Sequence, residues 1–461
     1  VVVLFLCVGI LTPKEMLEGF SNKGMITVAL LFLVSEGIRQ SGTLGQVIKK
    51  LLPQGKTTVF KAQLRILPSV AFISAFLNNT PVVVIFAPII KHWAKSVKLP
   101  ATKFLIPLSY VTILGGICTL IGTSTNLVVH GMILEAGFEG FSMFELGKVG
   151  IFIAIAGIIY LFIFSKRLLP DARPDTAVPD EEVEEGEKLH RVEAVLGARF
   201  PGINKKLSDF NFQRHYGAEV KEIKTRNGQR YVDHLEDVVL REGDTLVVMA
   251  DDTFIPTWGE SSVFVLLTNG NDPDTSGKKK RWLALILLVL MIVGATVGEL
   301  PATKEMFPDI KLDMFFFVCI TTIIMAWTNI FPARKYTKYI SWDILITIAC
   351  AFAISKAMVN SGVADCVAGF IIGLSDDYGP HVLLAILFVI TNLFTELITN
   401  NAAAALAFPL ALSISAQLGV SPTPFFVVIC MAASASFSTP IGYQTNLIVQ
   451  GIGNYKFTDF V

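Results

Sequence analysis

The stretch Ile121-Gly-Thr-Ser-Thr-Asn-Leu-Val-Val129 returns 320 positions later as Ile441-Gly-Tyr-Gln-Thr-Asn-Leu-Ile-Val449. Three further pairs keep nearly the same offset: Ser41-Gly42 with Ser361-Gly362, Asn79 with Asn400, and Pro88 with Pro409. A shared apolar composition alone would not align these polar residues. The chain is therefore predicted to contain two copies of one structural unit.

The composition is that of a membrane protein. Of the 461 residues 52% are hydrophobic and 16% are charged, whereas soluble proteins have about 25% charged residues. Apolar blocks such as 25–34 and 151–164 predict several membrane-spanning helices. Interruptions by Gly, Pro and Asn are typical of re-entrant or broken helices. The net charge of zero gives no indication of a nucleic-acid partner.

Three regions follow from the change in composition along the chain. Residues 1–167 and 282–461 form the two membrane repeats, and residues 168–281 form an inserted domain. The insert is predicted to be a small α+β domain with strands at 192–196, 218–223 and 246–249. A hairpin turn is expected at Arg226-Asn227-Gly228-Gln229, because Asn-Gly tolerates positive φ.

The repeat and the charged flanks predict the topology. Shifted by 320 positions, the helix at 282–297 falls before Val1 and the helix at 149–164 falls beyond Val461, so we expect one more helix at each end of the full protein. Lys166-Arg167 and the basic run 278–281 flank the insert. By the positive-inside rule the insert lies in the cytoplasm, and the protein is a multi-pass protein of the inner or plasma membrane.

Polar, helix-breaking residues interrupt each apolar repeat twice. Such groups at membrane depth are costly unless they have partners or line a cavity. Helix–helix hydrogen bonding would explain one such interruption, but paired interruptions in a repeated membrane unit are typical of secondary transporters. The four interruptions are Asn78 to Pro81, Gly122 to Asn126, Thr399 to Asn401, and Gly442 to Asn446.

The charge pattern around these interruptions predicts how an anion would be bound. Broken helices expose backbone N–H groups and positive dipole ends, which suit sulfate or a carboxylate, while carbonyl oxygens suit sodium. The ranges 66–90, 104–147 and 357–455 contain no Lys or Arg. Because an uncompensated dianion is very unfavourable in a low dielectric, we expect co-bound cations to supply the positive charge.

The four interruptions resemble the paired signature loops of the divalent anion–sodium symporter (DASS) family, and the likeness covers both membrane regions. The resemblance implies a homodimeric, inverted-repeat elevator transporter with re-entrant hairpins. It also implies one sodium site at Asn78, Asn79 and Gly122, and a mate at Thr399, Asn400 and Gly442. The residues expected to face the anion are Thr80, Asn126, Asn401 and Asn446, with Ser124, Thr125 and Thr445 as weaker candidates.

Details of the loops favour sulfate. The hairpin tips read Asn78-Asn79-Thr80 and Thr399-Asn400-Asn401 where the family has Ser-Asn-Thr, and the chain is most similar to the sulfate-permease branch with an inserted domain. The insert resembles the TrkA-C module, the C-terminal ligand-binding domain of potassium-conductance regulators (RCK C-terminal). The matching residues are 201–207, 216–218 and 240–246. This implies dimerisation or binding of a small regulatory ligand.

Other interpretations remain open from the residues alone. A sodium-coupled transporter of the same type could carry a di- or tricarboxylate or another oxyanion. A ligand-gated ion channel is a second alternative. An enzyme is not indicated, because no nucleophile–base or metal-ligand cluster occurs in the apolar blocks. Glu396 precedes the second hairpin tip where the first repeat has Ala75. Its carboxylate either takes part in proton or cation coupling or accepts hydrogen bonds within the hairpin.

Overall fold

The computed structural model describes residues 1–171, 190–197, 199–225, 229–251, 254, 258, 263–268, 278–307, 310–332, 336–373 and 379–460. Helices dominate both membrane regions, which confirms the prediction of an α-helical polytopic membrane protein. Six described segments are long and apolar enough to cross a membrane: Pro13–Gln40, Gly147–Leu168, Lys279–Gly298, Trp342–Asn360, Pro380–Leu397 and Asn400–Leu418.

The first region is a run of helices with short connections. Three of its helices begin at a polar side-chain cap, as where the Asn22 side chain accepts bonds from the backbone N–H groups of Gly24 and Met25. The helices are α1 (Val2–Cys7), α2 (Pro13–Glu18), α3 (Lys23–Gln40), α4 (Thr43–Leu51), α5 (Val59–Ser74), α6 (Asn79–Ser96), α7 (Thr102–Gly116), α8 (Ser124–Glu135) and α9 (Gly147–Leu168).

A small antiparallel sheet follows, with the strand order β3-β2-β4-β1-β5. Its apolar core is separate from that of the membrane helices and includes Phe200, Tyr216 and Leu246. The elements are β1 (His190–Leu196), α10 (Phe212–Tyr216), β2 (Glu219–Lys224), β3 (Arg230–Tyr231), β4 (Thr245–Ala250) and β5 (Phe264–Thr268).

The three strands predicted for the insert are confirmed by β1, β2 and β4. The predicted hairpin turn includes residues 226–228, which lie outside the described residues, but Lys224 pairs with Arg230 on either side of it. The short strand β3 and the edge strand β5 were not predicted. A two-residue strand such as β3 has too short a sequence pattern to be recognised.

The second region repeats the order of the first. Trp342–Asn360 corresponds to Lys23–Gln40, and two helix pairs again follow it in sequence. The helices are α11 (Lys278–Gly298), α12 (Pro301–Met306), α13 (Met314–Trp327), α14 (Tyr336–Tyr339), α15 (Trp342–Asn360), α16 (Val363–Gly373), α17 (Pro380–Leu397), α18 (Asn400–Leu418), α19 (Thr423–Ser434) and α20 (Gln444–Gly453).

The second half of each broken helix packs on helices of the other repeat. Helix α8 of the first repeat packs on α18 and α19 of the second, and its counterpart α20 packs on α6 and α7 of the first. One continuous apolar core runs through both repeats. Because each broken helix packs on helices of the other repeat, the interruptions of both repeats lie in one region.

Close helix contacts near this region depend on small residues. A Cβ added at Gly115 of α7 would collide with the backbone carbonyl of Ala71 on α5, an atom that cannot turn aside. Helices approach this closely in membranes where small residues line the contact. The spacing of α5 and α7, and with it the position of the first hairpin tip, is therefore set by Gly115.

We expect Gly115→Ala to destabilise the protein by about 1–3 kcal/mol, the usual cost of overpacking. The check is the midpoint of thermal unfolding in detergent. Gly369→Ala is the matched control, because a Cβ there would meet only the end of the Gln417 side chain at 3.8 Å. Equal midpoints for the two variants would show that Gly115 does not set the spacing.

Candidate functional site

Interruptions from both repeats meet at the Tyr443 hydroxyl. It lies 2.6 Å from the Asn79 amide at the first hairpin tip and 3.1 Å from the Thr123 hydroxyl in the first broken helix. The side chain of Asn400 at the second hairpin tip also lies near this hydroxyl. Tyr443 itself belongs to the second broken helix and occupies the position that mirrors Thr123. One buried hydroxyl of the second repeat therefore bonds both interruptions of the first repeat.

Each hairpin tip also contacts the broken helix of the opposite repeat. The Thr80 hydroxyl donates to Gln444 Oε1 at 3.3 Å. In the mirrored contact, the hydroxyls of Ser124 and Thr125 each donate to Asn401 Oδ1 at 3.3 Å. The candidate anion-facing residues of the two repeats thus lie side by side, although the sequence separates them by more than 270 positions.

The breaks in α7–α8 and α19–α20 are held by one asparagine each. Asn126 Nδ2 donates to the carbonyls of Thr119 at 2.9 Å and Gly116 at 3.4 Å. Asn446 Nδ2 makes the mirrored bonds at 3.1 and 2.9 Å. Both side chains are fully buried. Here they satisfy the backbone of the break, and their predicted contact with an anion stays a prediction.

One glycine lies at the turn of each break. The backbone N–H groups of Gly122 and Gly442 donate to the hydroxyls of Thr119 and Thr439, at 3.2 and 3.1 Å. Both glycines are buried. A Cβ on Gly122 would collide with the backbone of Gly116, so the turn closes this tightly only with glycine.

Oxygen atoms cluster around Asn79. One end of its amide lies 2.8 Å from Ser74 Oγ, 3.0 Å from the Thr112 carbonyl and 3.2 Å from the Gly122 carbonyl. With nitrogen at that end, the amide donates to these oxygens and its own oxygen accepts from Tyr443. With oxygen at that end, four oxygens face one another, which is a donor set that suits a hard cation.

The second repeat reproduces this arrangement around Asn400. The Thr395 hydroxyl donates to Asn400 Oδ1 at 2.9 Å and to the Ala433 carbonyl at 2.6 Å. In the first repeat the Ser74 hydroxyl likewise contacts Asn79 Oδ1 and the Thr112 carbonyl. Thr399, next to Asn400, is exposed. The predicted pair of cation sites therefore consists of similar polar groups in both repeats.

The four helices that start at the interruptions begin without a side-chain cap. Asn78, Thr123 and Thr399 are of residue types that often cap helices, yet none of these side chains accepts a bond from the helix it precedes, and neither does Tyr443. By contrast, the Thr58 side chain caps α5. First-turn N–H groups left uncapped are available to bind an anion.

A narrow cleft opens beside the first tip. Asn78 and Ser124 contribute polar atoms to it, and Ser35 of α3 lies opposite. Apolar residues of α3 and α11 complete its walls. The cleft therefore lies between the interlocked interruptions and helices α3 and α11.

The prediction missed several residues of the site. Ser74, Thr119 and their mirrored positions Thr395 and Thr439 hold the tips and breaks, and Tyr443 connects the repeats. The offset between the copies could have revealed Thr119 and Thr439, because both are threonines. Tyr443 gave no such signal, because its counterpart is Thr123 and only the fold brings the two together.

The fold and the site define a polytopic membrane transport protein built from two interlocked repeats. The chain belongs to the citrate transporter family CitMHS, whose sequence model matches residues 1–416 and again residues 303–461. Since this is a family of transporters, the prediction that the chain is a transporter and not an enzyme is confirmed.

The chain is also similar in sequence to individual transporters. It is 29% identical to an uncharacterized transporter of Synechocystis, over 100% of this chain and 89% of the relative. It is 30% identical to sodium/sulfate cotransporter 2 of Chlamydomonas reinhardtii, over 59% of this chain and 30% of the relative. It is 28% identical to a sodium-dependent dicarboxylate transporter of Staphylococcus saprophyticus, over 26% of this chain and 23% of the relative.

We expect Asn79 and Tyr443 to be energetically coupled. Removing the hydroxyl in Tyr443→Phe leaves the buried Asn79 amide without its partner, which costs about 1–3 kcal/mol. In a double-mutant cycle with Asn79→Ala, the two effects on unfolding free energy should be non-additive by at least about 0.5 kcal/mol.

The control cycle pairs Asn79→Ala with Tyr455→Phe. The Tyr455 hydroxyl is also buried, but it bonds the backbone of Thr102 and Ile106. This second cycle should be additive, since the two residues share no partner. Additive behaviour in both cycles would contradict the link between the repeats.

Proposed function

We propose that the protein is a sodium-coupled symporter of a small divalent anion, and that this anion is sulfate. The proposal rests above all on one observation. Four interruptions that offer hydrogen-bond donors and cation-type oxygen clusters meet in one region, and the ranges of sequence that form it contain no Lys or Arg. A dianion bound there needs positive charge from another source.

The anion half of the site consists of helix N-termini and neutral donors. The first turns of α6, α8, α18 and α20 supply backbone N–H groups, and each terminus adds the positive end of a helix dipole. Hydroxyls of Thr80, Ser124 and Thr125, with the Asn401 amide, surround the same place. Sulfate accepts hydrogen bonds in all directions, which this arrangement suits.

The cation half consists of the oxygen clusters behind the tips. At the first, Asn78, Asn79 and Gly122 are proposed to hold sodium together with the Ser74 and Thr112 oxygens. At the second, Thr399, Asn400 and Gly442 are proposed to do the same. Sodium entering these clusters would place positive charge next to the anion, so that the two solutes bind together and coupling follows from electrostatics.

A carboxylate substrate is the main alternative, and the comparisons give it specific support. The family is described as citrate transporters, and one relative is named as a dicarboxylate transporter. A C4-dicarboxylate needs two separated groups of donors. The tip contacts Thr80–Gln444 and Asn401–Ser124 are two such groups.

The packing supports an elevator mechanism. The tips and broken helices interlock across the repeats, so α5 to α8 and α17 to α20 are proposed to move as one transport body. Helices α3, α11, α13 and α15 would form the scaffold, and we propose that it carries the interface of a homodimer. The cleft beside Asn78 lies between these two bodies.

The insert is proposed to be a cytoplasmic TrkA-C-like domain that regulates this motion. Lys91 of α6 forms an ion pair with Glu193 of β1 at 3.0 Å, while Arg199 of the insert pairs with Asp343 of the scaffold helix α15. The insert thus touches both proposed bodies. Such a bridge would restrain sliding until a regulator loosened it.

The carboxyl group of Glu193 is ionised at physiological pH. Burial acts to raise the pKa of its carboxyl, but the ammonium groups of Lys91 and Lys224 outweigh burial and lower that pKa from 4.5 to about 2. A lowered pKa gives a stabilisation that is complete above the ordinary value and is lost as the pH falls through the folded value. The contact therefore persists at physiological pH.

Uptake of labelled sulfate into proteoliposomes tests the transport proposal. With sodium outside, uptake should saturate with sulfate concentration, and replacement of sodium by choline should reduce it at least about tenfold, because the dianion loses its counter-charge. Unlabelled thiosulfate and molybdate should compete better than succinate.

Uptake that persists undiminished in choline would contradict sodium coupling. Stronger competition by succinate or citrate than by oxyanions would favour the carboxylate alternative. Empty liposomes and liposomes with heat-unfolded protein are the controls.

Lys91→Gln tests the bridge. Loss of the ion pair should raise the initial rate of uptake about two- to fivefold, because the insert then holds the transport body less firmly. Lys95→Gln, an exposed lysine on the same helix, is the matched control and should leave the rate unchanged. Equal rates for wild type and Lys91→Gln would show that this contact does not restrain transport.

A further inference from the structure

The two proposed cation sites are not chemically equal. Around Gly122 and Gly442 the repeats mirror each other in backbone geometry, in the threonine that bonds the glycine N–H, and in the asparagine that holds the break. Two mirrored positions differ in their oxygen atoms: Ala75 against Glu396, and Gly116 against Ser436.

Glu396 occupies the place of a backbone carbonyl. In the first repeat the Thr119 hydroxyl donates to the Ala75 carbonyl. In the second, the mirrored Thr439 hydroxyl donates to Glu396 Oε2 at 2.7 Å, and the Ser438 N–H donates to Oε1 at 3.1 Å. The carboxylate is thereby folded against the break and held in position there.

Three oxygens face the small space beside Gly442. A Cβ placed on this glycine would lie 3.0 Å from the Thr395 carbonyl oxygen and 3.2 Å from Glu396 Oε2, and it would overlap Ser436 Oγ. Ser436 is fully buried, and among the described residues its hydroxyl has no hydrogen-bond partner. A buried hydroxyl without a partner is costly unless something binds it.

The mirrored space in the first repeat is built differently. There the Cβ direction of Gly122 points onto the backbone of Gly116, which has no side chain. The polar groups near it are neutral amides, hydroxyls and carbonyls. A charged oxygen and a free hydroxyl are therefore features of the second repeat.

We propose that Glu396 and Ser436 are cation ligands, and that they make the second site a charged site that binds sodium before the anion arrives. This rests on the proposed function and refines it. Carboxylate, hydroxyl and carbonyl oxygens are the ligands that hard cations prefer. An anionic ligand in a low dielectric attracts a cation far more strongly than neutral oxygens do.

An order of binding follows from this difference. The second site fills at low sodium concentration without any anion, because Glu396 supplies the compensating charge. The first site has neutral ligands and fills only when the dianion supplies negative charge. The cation at the second site neutralises the charge of Glu396. The charge of the dianion must therefore be neutralised by further cations.

The test measures sodium binding without transport. Purified protein in nanodiscs is titrated with NaCl against choline chloride at constant ionic strength and without sulfate, and the midpoint of thermal unfolding reports binding. Wild type should be stabilised in a saturable manner. Glu396→Gln keeps the shape and should raise the half-saturating sodium concentration at least about tenfold.

Further variants separate ligation from folding. Ser436→Gly installs the residue of the first repeat and should raise the half-saturating concentration about three- to tenfold, while Glu396→Asp should recover part of the loss in Glu396→Gln. Asp365→Asn removes another carboxylate with a serine partner, Ser413 on α18, and should behave as wild type.

The outcomes are distinct. Wild-type sodium affinity in both Glu396→Gln and Ser436→Gly overturns the inference and leaves Glu396 a structural acceptor. The inference also fails if wild type shows sodium-dependent uptake but no stabilisation by sodium in the absence of anion. Failure of sodium-dependent uptake in wild-type proteoliposomes would instead overturn the proposed function.

Discussion

The structure depends on one electrostatic constraint: polar groups and an anion must be accommodated at membrane depth by neutral groups. The two repeats meet this constraint together. Each break is stabilised by its own asparagine, and each tip is completed by the opposite repeat through contacts such as Asn79–Tyr443. The contacts between a tip and the opposite broken helix exist only when the two repeats pack together. The interlocking of the repeats and the formation of the site are therefore the same event.

Near symmetry makes the differences between the repeats informative. Most polar contacts recur at an offset of 320 or 321 positions, as with Asn126 and Asn446 or Ser74 and Thr395. Where a pair differs in charge, as Ala75 and Glu396 do, the shared fold does not explain the difference. Two sites with equal geometry and unequal charge would fill in sequence, and sequential filling is one physical route to strict coupling between cation and anion.

The insert contacts helices of both repeats through ion pairs. Its sheet has its own apolar core, while Val195 of β1 packs in the core of the membrane helices. Its ion pairs reach α6 through Lys91 and α15 through Asp343. Charged contacts with helices of both repeats link the insert to each of them. That is the property a regulatory element of a moving transporter requires.

The sequence by itself determined the class of fold, the two copies, the insert and the four interruptions, because apolar length, the offset of 320 and paired Asn and Thr residues are local patterns. Only the tertiary structure decided which interruption meets which. It placed Asn126 and Asn446 on backbone carbonyls, gave Tyr443 a central position, and set Glu396 and Ser436 beside Gly442. The reason is physical: such contacts join residues hundreds of positions apart, and helix packing, not local sequence, fixes their geometry.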